Sequence, residues 1–294
     1  MRIRLGTRGS ALALAQSESF ARRLRVSGHE VEVVRIVTEG DVRPLDTVPG
    51  EGIFVAAIAA ALLNGEIDVA VHSAKDVPLE EEPELVIAAF PERADPRDAL
   101  VTRSGDRSIA TLPANATVGT DSPRRAGFIH AARGDLRVVP LHGNVDTRLR
   151  RLDAGEVDAL VIAAAGLDRL DRGERIDQRL DPTMVTPAPA QGALAIQARR
   201  SDSAIREALA AHDQPDLRLA VEAERSVLFA TGGTCRAPVG ALATIDGDRF
   251  TLVVGGVNSD GSDLTVDSVH GSRAELTGVA EAAGRRLAGA VLLR

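Results

Sequence analysis

The chain has no tryptophan and no tyrosine, six phenylalanines, two methionines and one cysteine, and only one of its 35 basic side chains, Lys75, is a lysine. Each shortage excludes something. A single cysteine, Cys235, rules out an internal disulfide and any cysteine-based metal cluster, and no metal site is expected. Scarce aromatic rings together with a net charge of −7 argue against a nucleic-acid partner, which calls for a basic surface and rings to stack on bases. No apolar run approaches the ~18 residues of a membrane span, and the start MRIRLGTRGS lacks the apolar core of a signal peptide. The expectation is a cytoplasmic protein with no membrane partner. Phosphate loops are missing as well: LGTRGS contains neither G-x-G-x-x-G nor GK[ST], which leaves a dinucleotide or ATP site without support. What remains is an ordinary globular composition, 44% apolar and 26% charged over 294 residues, long enough for two or three domains with cores of their own.

Over the first 170 residues, short Val/Ile/Leu runs alternate with helical patterns, as in βαβ units with mostly parallel sheets. RIRLGT (2–7), VEVVRIV (31–37) and IDVAVHS (67–73) read as strands, and SALALAQSESFARRL (10–24) reads as a helix capped by Ser10. IFVAAIAAALLNG (53–65) is a helix closed by Asn64 and Gly65. The phrase then returns: strand, turn and helix over 116–134, a strand LRVVPL (136–141) and a helix VDTRLRRLDAG (145–155). ALLNGEIDVAV (61–71) echoes RLDAGEVDALV (151–161), and LGT (5–7) echoes VGT (118–120), in the same order. Two similar α/β domains with a cleft between them follow from this. DPTMVTPAPAQG (181–192) reads as a crossing segment, and from about 215 a helix, a hairpin around NSDGS and a closing helix make a small α+β C-terminal domain.

In α/β sheets the carboxyl ends of the strands face the ligand, and helix N-termini there favour anions. At those ends stand Thr7, Arg8 and Ser10; Thr120, Ser122, Arg124 and Arg125; His142, Asn144 and Arg148; and Arg169. Hydroxyls and forked guanidinium groups suit a ligand with several carboxylates or phosphates, although surface arginines at solvated helix starts would give the same pattern. Lys75 and Asp76 end a buried strand; they read either as a structural ion pair or as a carboxylate that stabilises a cation or carries a proton. His72, flanked by strand residues, reads as packed. Cys235, beside Arg236 in TGGTCRAPVG, is either an inert buried thiol or an activated nucleophile.

Taken together, GTRGSALALAQ (6–16), EGIFV (51–55), HSAKDVP (72–78), ERADPRDALV (92–101), VGTDSPRR (118–125), GNVDTRL (143–149), AAAGLDRL (163–170), PAPAQGALAIQ (187–197) and GGTCRAPVGA (232–241) carry a resemblance. The chain resembles the porphobilinogen deaminase family over nearly its full length. That resemblance implies two domains of periplasmic-binding-protein design and a third that holds a dipyrromethane cofactor, built from the substrate, in thioether linkage to Cys235. Expected bounds are 1–92 with 190–212, then 98–186, then 215–294. It implies a monomeric transferase that adds four porphobilinogen units in turn, each losing ammonia, and releases hydroxymethylbilane. By resemblance Asp76 and Lys75 are catalytic and also touch the cofactor, with Thr120, Ser122, Arg124 and Arg125. Arg8, Ser10, Gln16, Phe54, His142, Asn144, Arg148, Arg169 and Gln191 would meet the substrate and the growing chain. Four positions depart from the family pattern: His142 for an arginine, Glu51 for a lysine, Asp121 for a serine and Thr234 for a glycine. A non-catalytic two-lobed binding protein for a polycarboxylate is the alternative of another class, and a cysteine hydrolase based on Cys235 is a third.

Overall fold

The structure, a computed structural model, describes residues 1–37, 55–80, 82–105, 107–233 and 237–292. Among the expected site residues, Phe54 and Cys235 lie outside the described residues, as do Glu51 and Thr234. The chain forms two compact units, Met1–Arg93 with Ala193–Arg218, and Ala94–Gly192 with Leu219–Arg294.

Its elements run β1 (Arg2–Thr7), α1 (Ala11–Val26), β2 (Glu30–Arg35), α2 (Ala56–Leu63), β3 (Val69–Ser73), β4 (Leu85–Ala89), β5 (Asp98–Thr102), β6 (Thr117–Gly119), α3 (Pro123–Ala132) and β7 (Arg137–Val139). They continue with α4 (Val145–Asp153), β8 (Ala159–Ala163), α5 (Ala164–Arg169), β9 (Gln178–Arg179), β10 (Leu194–Arg199), α6 (Ser203–Ala210), α7 (Pro215–Ala230), β11 (Val239–Asp246), β12 (Arg249–Gly256), β13 (Thr265–Ser272) and α8 (Leu276–Leu287).

The first unit holds a sheet of order β2-β1-β3-β10-β4, the second a sheet of order β7-β6-β8-β5-β9. In both, the first three strands are parallel and the fourth runs against its neighbours. The orders coincide when β1, β2, β3, β10 and β4 are matched to β6, β7, β8, β5 and β9, so the duplication read from two short echoes is a duplication of topology. Burial on both faces explains the continuous apolar runs of the inner strands. In the first unit Ile3, Leu5, Val69 and Val71 pack with Phe20, Leu24, Ile205 and Leu209, while Ile67 and Ala70 pack with Ile58 and Leu62. The second unit repeats this, with Val118, Ala159 and Val161 toward Phe128 and Ile129, and Leu160 and Ile162 toward Leu149 and Leu152.

The Gly-Glu-[Ile/Val]-Asp echo has a local reason. Gly65 and Gly155 follow α2 and α4 at φ 71° and 80°, a left-handed conformation that costs a glycine little. Three residues on, Asp68 and Asp158 reach the neighbouring strand. An Asp68 carboxylate oxygen accepts from the Arg4 backbone N–H at 2.9 Å, and Asp158 accepts from that of Thr117 at 2.7 Å. Their own N–H groups donate to the same residues' carbonyls, at 2.8 and 2.9 Å. Each motif thus ends a helix and sets the register of the strand that follows.

Within the second unit β11, β12 and β13 form an antiparallel sheet, and α8 packs its buried Leu276, Ala280 and Leu287 on β12. Buried Glu224 on α7 accepts from the N–H of Ala190 at 2.6 Å and that of Ala243 at 2.8 Å, tying the 186–191 segment to β11.

Candidate active site

In the first unit the site residues gather where β1 and β3, adjacent strands, end. Ser10 caps α1, its oxygen accepting from Ala13 N–H at 3.3 Å, and the Thr7 hydroxyl donates to the Ala13 carbonyl at 3.1 Å. One helical turn further, buried Gln16 donates from Nε2 to Ser73 Oγ at 2.9 Å, which ties α1 to the last residue of β3. A single 3-10 turn, Ala74–Asp76, follows, anchored by the Ala74 N–H to the Ala193 carbonyl at 3.0 Å. Ala74 is buried, Lys75 half-buried and Asp76 exposed, so the carboxylate is held out on a fixed turn. Arg8 is half-buried just beyond β1. His72 is packed, as the sequence suggests: Nε2 lies 3.3 Å from Gln197 Oε1, and burial drops its pKa to about 4, so the ring is neutral.

The corresponding place in the second unit is β8, where Ala165 and Gly166 stand in the positions of Lys75 and Asp76. The duplicate therefore keeps the scaffold and drops the carboxylate. What it has instead is charge of the other sign. Ser122 caps α3, with Oγ accepting from Arg125 N–H at 3.4 Å, and buried Thr120 accepts from Ser122 N–H at 3.5 Å. Arg124 and Arg125, in the first turn of α3, are both buried and turn onto the fully buried Asp98 that opens β5. Arg124 Nη2 donates to Oδ2 at 2.8 Å and Arg125 Nε to Oδ1 at 2.9 Å. Arg124 also donates to the Thr186 carbonyl. Gln191, fully buried, donates to Asp98 Oδ1 at 2.9 Å and the Pro96 carbonyl at 2.8 Å, and accepts from Arg125 Nη2 at 3.2 Å. Burial alone would raise the Asp98 pKa, but the charges of Arg124 and Arg125 and the Gln191 amide bring it down to about 2.

Beyond β7, exposed Asn144 starts α4 without a side-chain capping bond, and Arg148 Nε donates to the Gly143 carbonyl at 2.8 Å. Burial, with Arg125 and Arg151 adding repulsion against a partial offset from Asp121, lowers the Arg148 pKa to about 10. Asp121 adjoins it, and His142 adjoins Asp121. Arg169, at the end of α5, donates to the Gly192 carbonyl at 2.7 Å. The fold thus brings His142 and Arg148 to Asp121, and directs Arg124, Arg125 and Gln191 inward to Asp98. Sequence reasoning missed the roles of Asp98 and Asp121. The signal for Asp98 was a carboxylate opening an apolar run, RDALV; for Asp121 it was a carboxylate between two hydroxyls at a helix start.

The geometry defines a class: an α/β protein with one sheet order used twice, offering an exposed carboxylate on one copy and desolvated guanidinium groups on the other. Residues 3–207 match the family model described as porphobilinogen deaminase, dipyromethane cofactor binding domain. A porphobilinogen deaminase of Acidothermus cellulolyticus is 51% identical, over 97% of this chain and 87% of its own length. Porphobilinogen deaminase 1 of Streptomyces coelicolor is 45% identical over 99% and 94%, and the Mycolicibacterium gilvum protein 44% over 94% and 86%. The chain belongs to the porphobilinogen deaminase family. Its residues fit the cofactor of that family, since the Thr120 and Ser122 hydroxyls and Arg125 at the start of α3 suit a group bearing several carboxylates.

Proposed function

We propose that this chain is a transferase that polymerises four porphobilinogen molecules, with loss of ammonia, onto a dipyrromethane primer and releases the linear tetrapyrrole hydroxymethylbilane, a step of heme and tetrapyrrole biosynthesis. The observation that carries this is near full-length identity, 51% and 45%, to porphobilinogen deaminases. When bound through Cys235, the dipyrromethane supplies the free pyrrole carbon to which units are added.

The chain's own residues divide the remaining work. Asp76, exposed on its anchored turn, holds the substrate ring N–H and meets the positive charge that develops on the pyrrole as ammonia leaves, an electrostatic contact worth on the order of 3 kcal/mol. Lys75 pairs with a primer carboxylate beside it. Each added ring brings two more carboxylates, so Arg8, Arg148 and Arg169 with Ser10 and Asn144 take substrate and growing chain, while Ser122, Thr120 and Arg125 take the primer. Bonds within the protein support positioning roles for Arg124, Gln191 and Gln16. Phe54 covers the reacting rings. The proposal includes the three-domain division at 1–92 with 190–212, 98–186 and 215–294, and a cytoplasmic monomer. No helix among the described residues is long and apolar enough to cross a membrane.

Intact mass of the purified protein beside a Cys235→Ala variant tests the proposal. A mass excess of two linked pyrrole units in the parent, absent from the variant, is expected. A bare polypeptide mass after incubation with porphobilinogen would sink it in favour of a binding protein.

A further inference from the structure

Asp121 and His142 come from different loops of the second unit, and the fold sets them against each other. His142 Nδ1 stands 2.6 Å from Asp121 Oδ1, and the other Asp121 oxygen stands 3.7 Å from Arg148 Nη2. Nδ1 has no aligned hydrogen-bond partner among the described residues, so the contact is one of proximity. All three side chains are largely shielded, 16%, 19% and 18% exposed for His142, Asp121 and Arg148. The neighbouring guanidinium groups are already paired, Arg125 with Asp98 at 2.8 Å and Arg151 with Glu156 at 2.7 Å. Arg125 and Arg151 both bear on Arg148, and Arg151 Nη1 also donates to the His142 carbonyl at 3.4 Å. With those carboxylates committed elsewhere, Asp121 is the carboxylate that bears on the desolvated Arg148. Asp121 and His142 therefore act on the same quantity, the pull of this subsite on a carboxylate.

We propose that Asp121 is a built-in stand-in for a substrate carboxylate at Arg148, and that His142 holds it back from that guanidinium, so that the pair sets the affinity of the subsite. This rests on reading the Arg148 cluster as the place of substrate carboxylates. Binding is then an exchange, in which the incoming carboxylate takes Arg148 and Asp121 stays with His142. Asp121 and His142 are specificity-determining residues on this account, and neither touches the reacting atoms.

The test is a double-mutant cycle read as KM for porphobilinogen on cofactor-loaded enzyme, with Asp121→Ser, His142→Ala and the double variant. Removing the stand-in lowers KM about three- to tenfold. His142→Ala raises KM, because it frees Asp121 to close on Arg148. Adding Asp121→Ser to His142→Ala removes that penalty and brings KM below the parent's. A structural role alone would lower thermal stability without lowering KM. Asp121→Asn keeps the shape and repeats the first measurement should the serine variant fold poorly. An Asp121→Ser KM at or above the parent's, or a His142→Ala effect that persists without Asp121, overturns the proposal. A parent that loads no cofactor and consumes no porphobilinogen overturns the proposed function instead, before any variant is compared.

Discussion

Asp98 illustrates what a single residue does here. It is fully buried, and two guanidinium groups and an amide converge on it. Removing its charge leaves two buried cations short of an anion, and we predict that Asp98→Asn costs about 3–5 kcal/mol at pH 7. The sign of the pH dependence follows from its depressed pKa. The contribution is complete above the ordinary carboxyl value of 3.8 and fades as pH falls toward about 2. Urea denaturation of parent and variant at pH 7 and pH 3 checks this, and a gap that stays constant would assign the titration to another group. Little of it is legible beforehand. His72 could be read as packed from its immediate neighbours, whereas the arginines that clamp Asp98 lie 26 and 27 residues away, and only the folded sheet brings them back.

At the scale of the element, the aspartates after Gly65 and Gly155 join helix ends to strand starts. Asp158 accepts from both the backbone N–H and the hydroxyl of Thr117, each at 2.7 Å. Loss of these bonds in Asp158→Ala should cost about 1–3 kcal/mol, and Asp158→Asn, which keeps an acceptor, should cost less. Equal stabilities for the two variants in chemical denaturation would refute that ordering. The echo was visible in sequence because a turn fixes residue types at fixed spacing. So were the caps, since Ser10 and the Gly65 turn fall where the pattern puts them. Strands β4, β5 and β10 were not read as strands, because apolar runs of five or six residues fit a buried helix segment as well. β11 went unread for a different reason, its start being masked by the turn residues of PVG. The antiparallel course of β10 and β5 depends on connections that periodicity does not record.

The molecule as a whole is held by strands that arrive out of turn. Its first unit is discontinuous: β10 stands between β3 and β4, although about a hundred residues of other structure separate it from them in sequence. Duplication was legible from the echoes, but this interleaving was not, because the crossing segment announces itself only by proline and small residues. A fragment of residues 1–192 should therefore lack a cooperative unfolding transition in its first unit, and the fragment extended to 218 should recover one. Hydrogen exchange on β1 and β3 distinguishes them, and equal protection in both would disprove the dependence. During translation at ~5–20 residues per second, β3 and β4 then wait on the order of ten seconds for the strand that joins them. Through that interval two apolar edges stand open on the nascent chain, so the turn bearing Lys75 and Asp76, made early, is among the last parts secured, and chaperone access at this stage bears on how much enzyme a cell obtains.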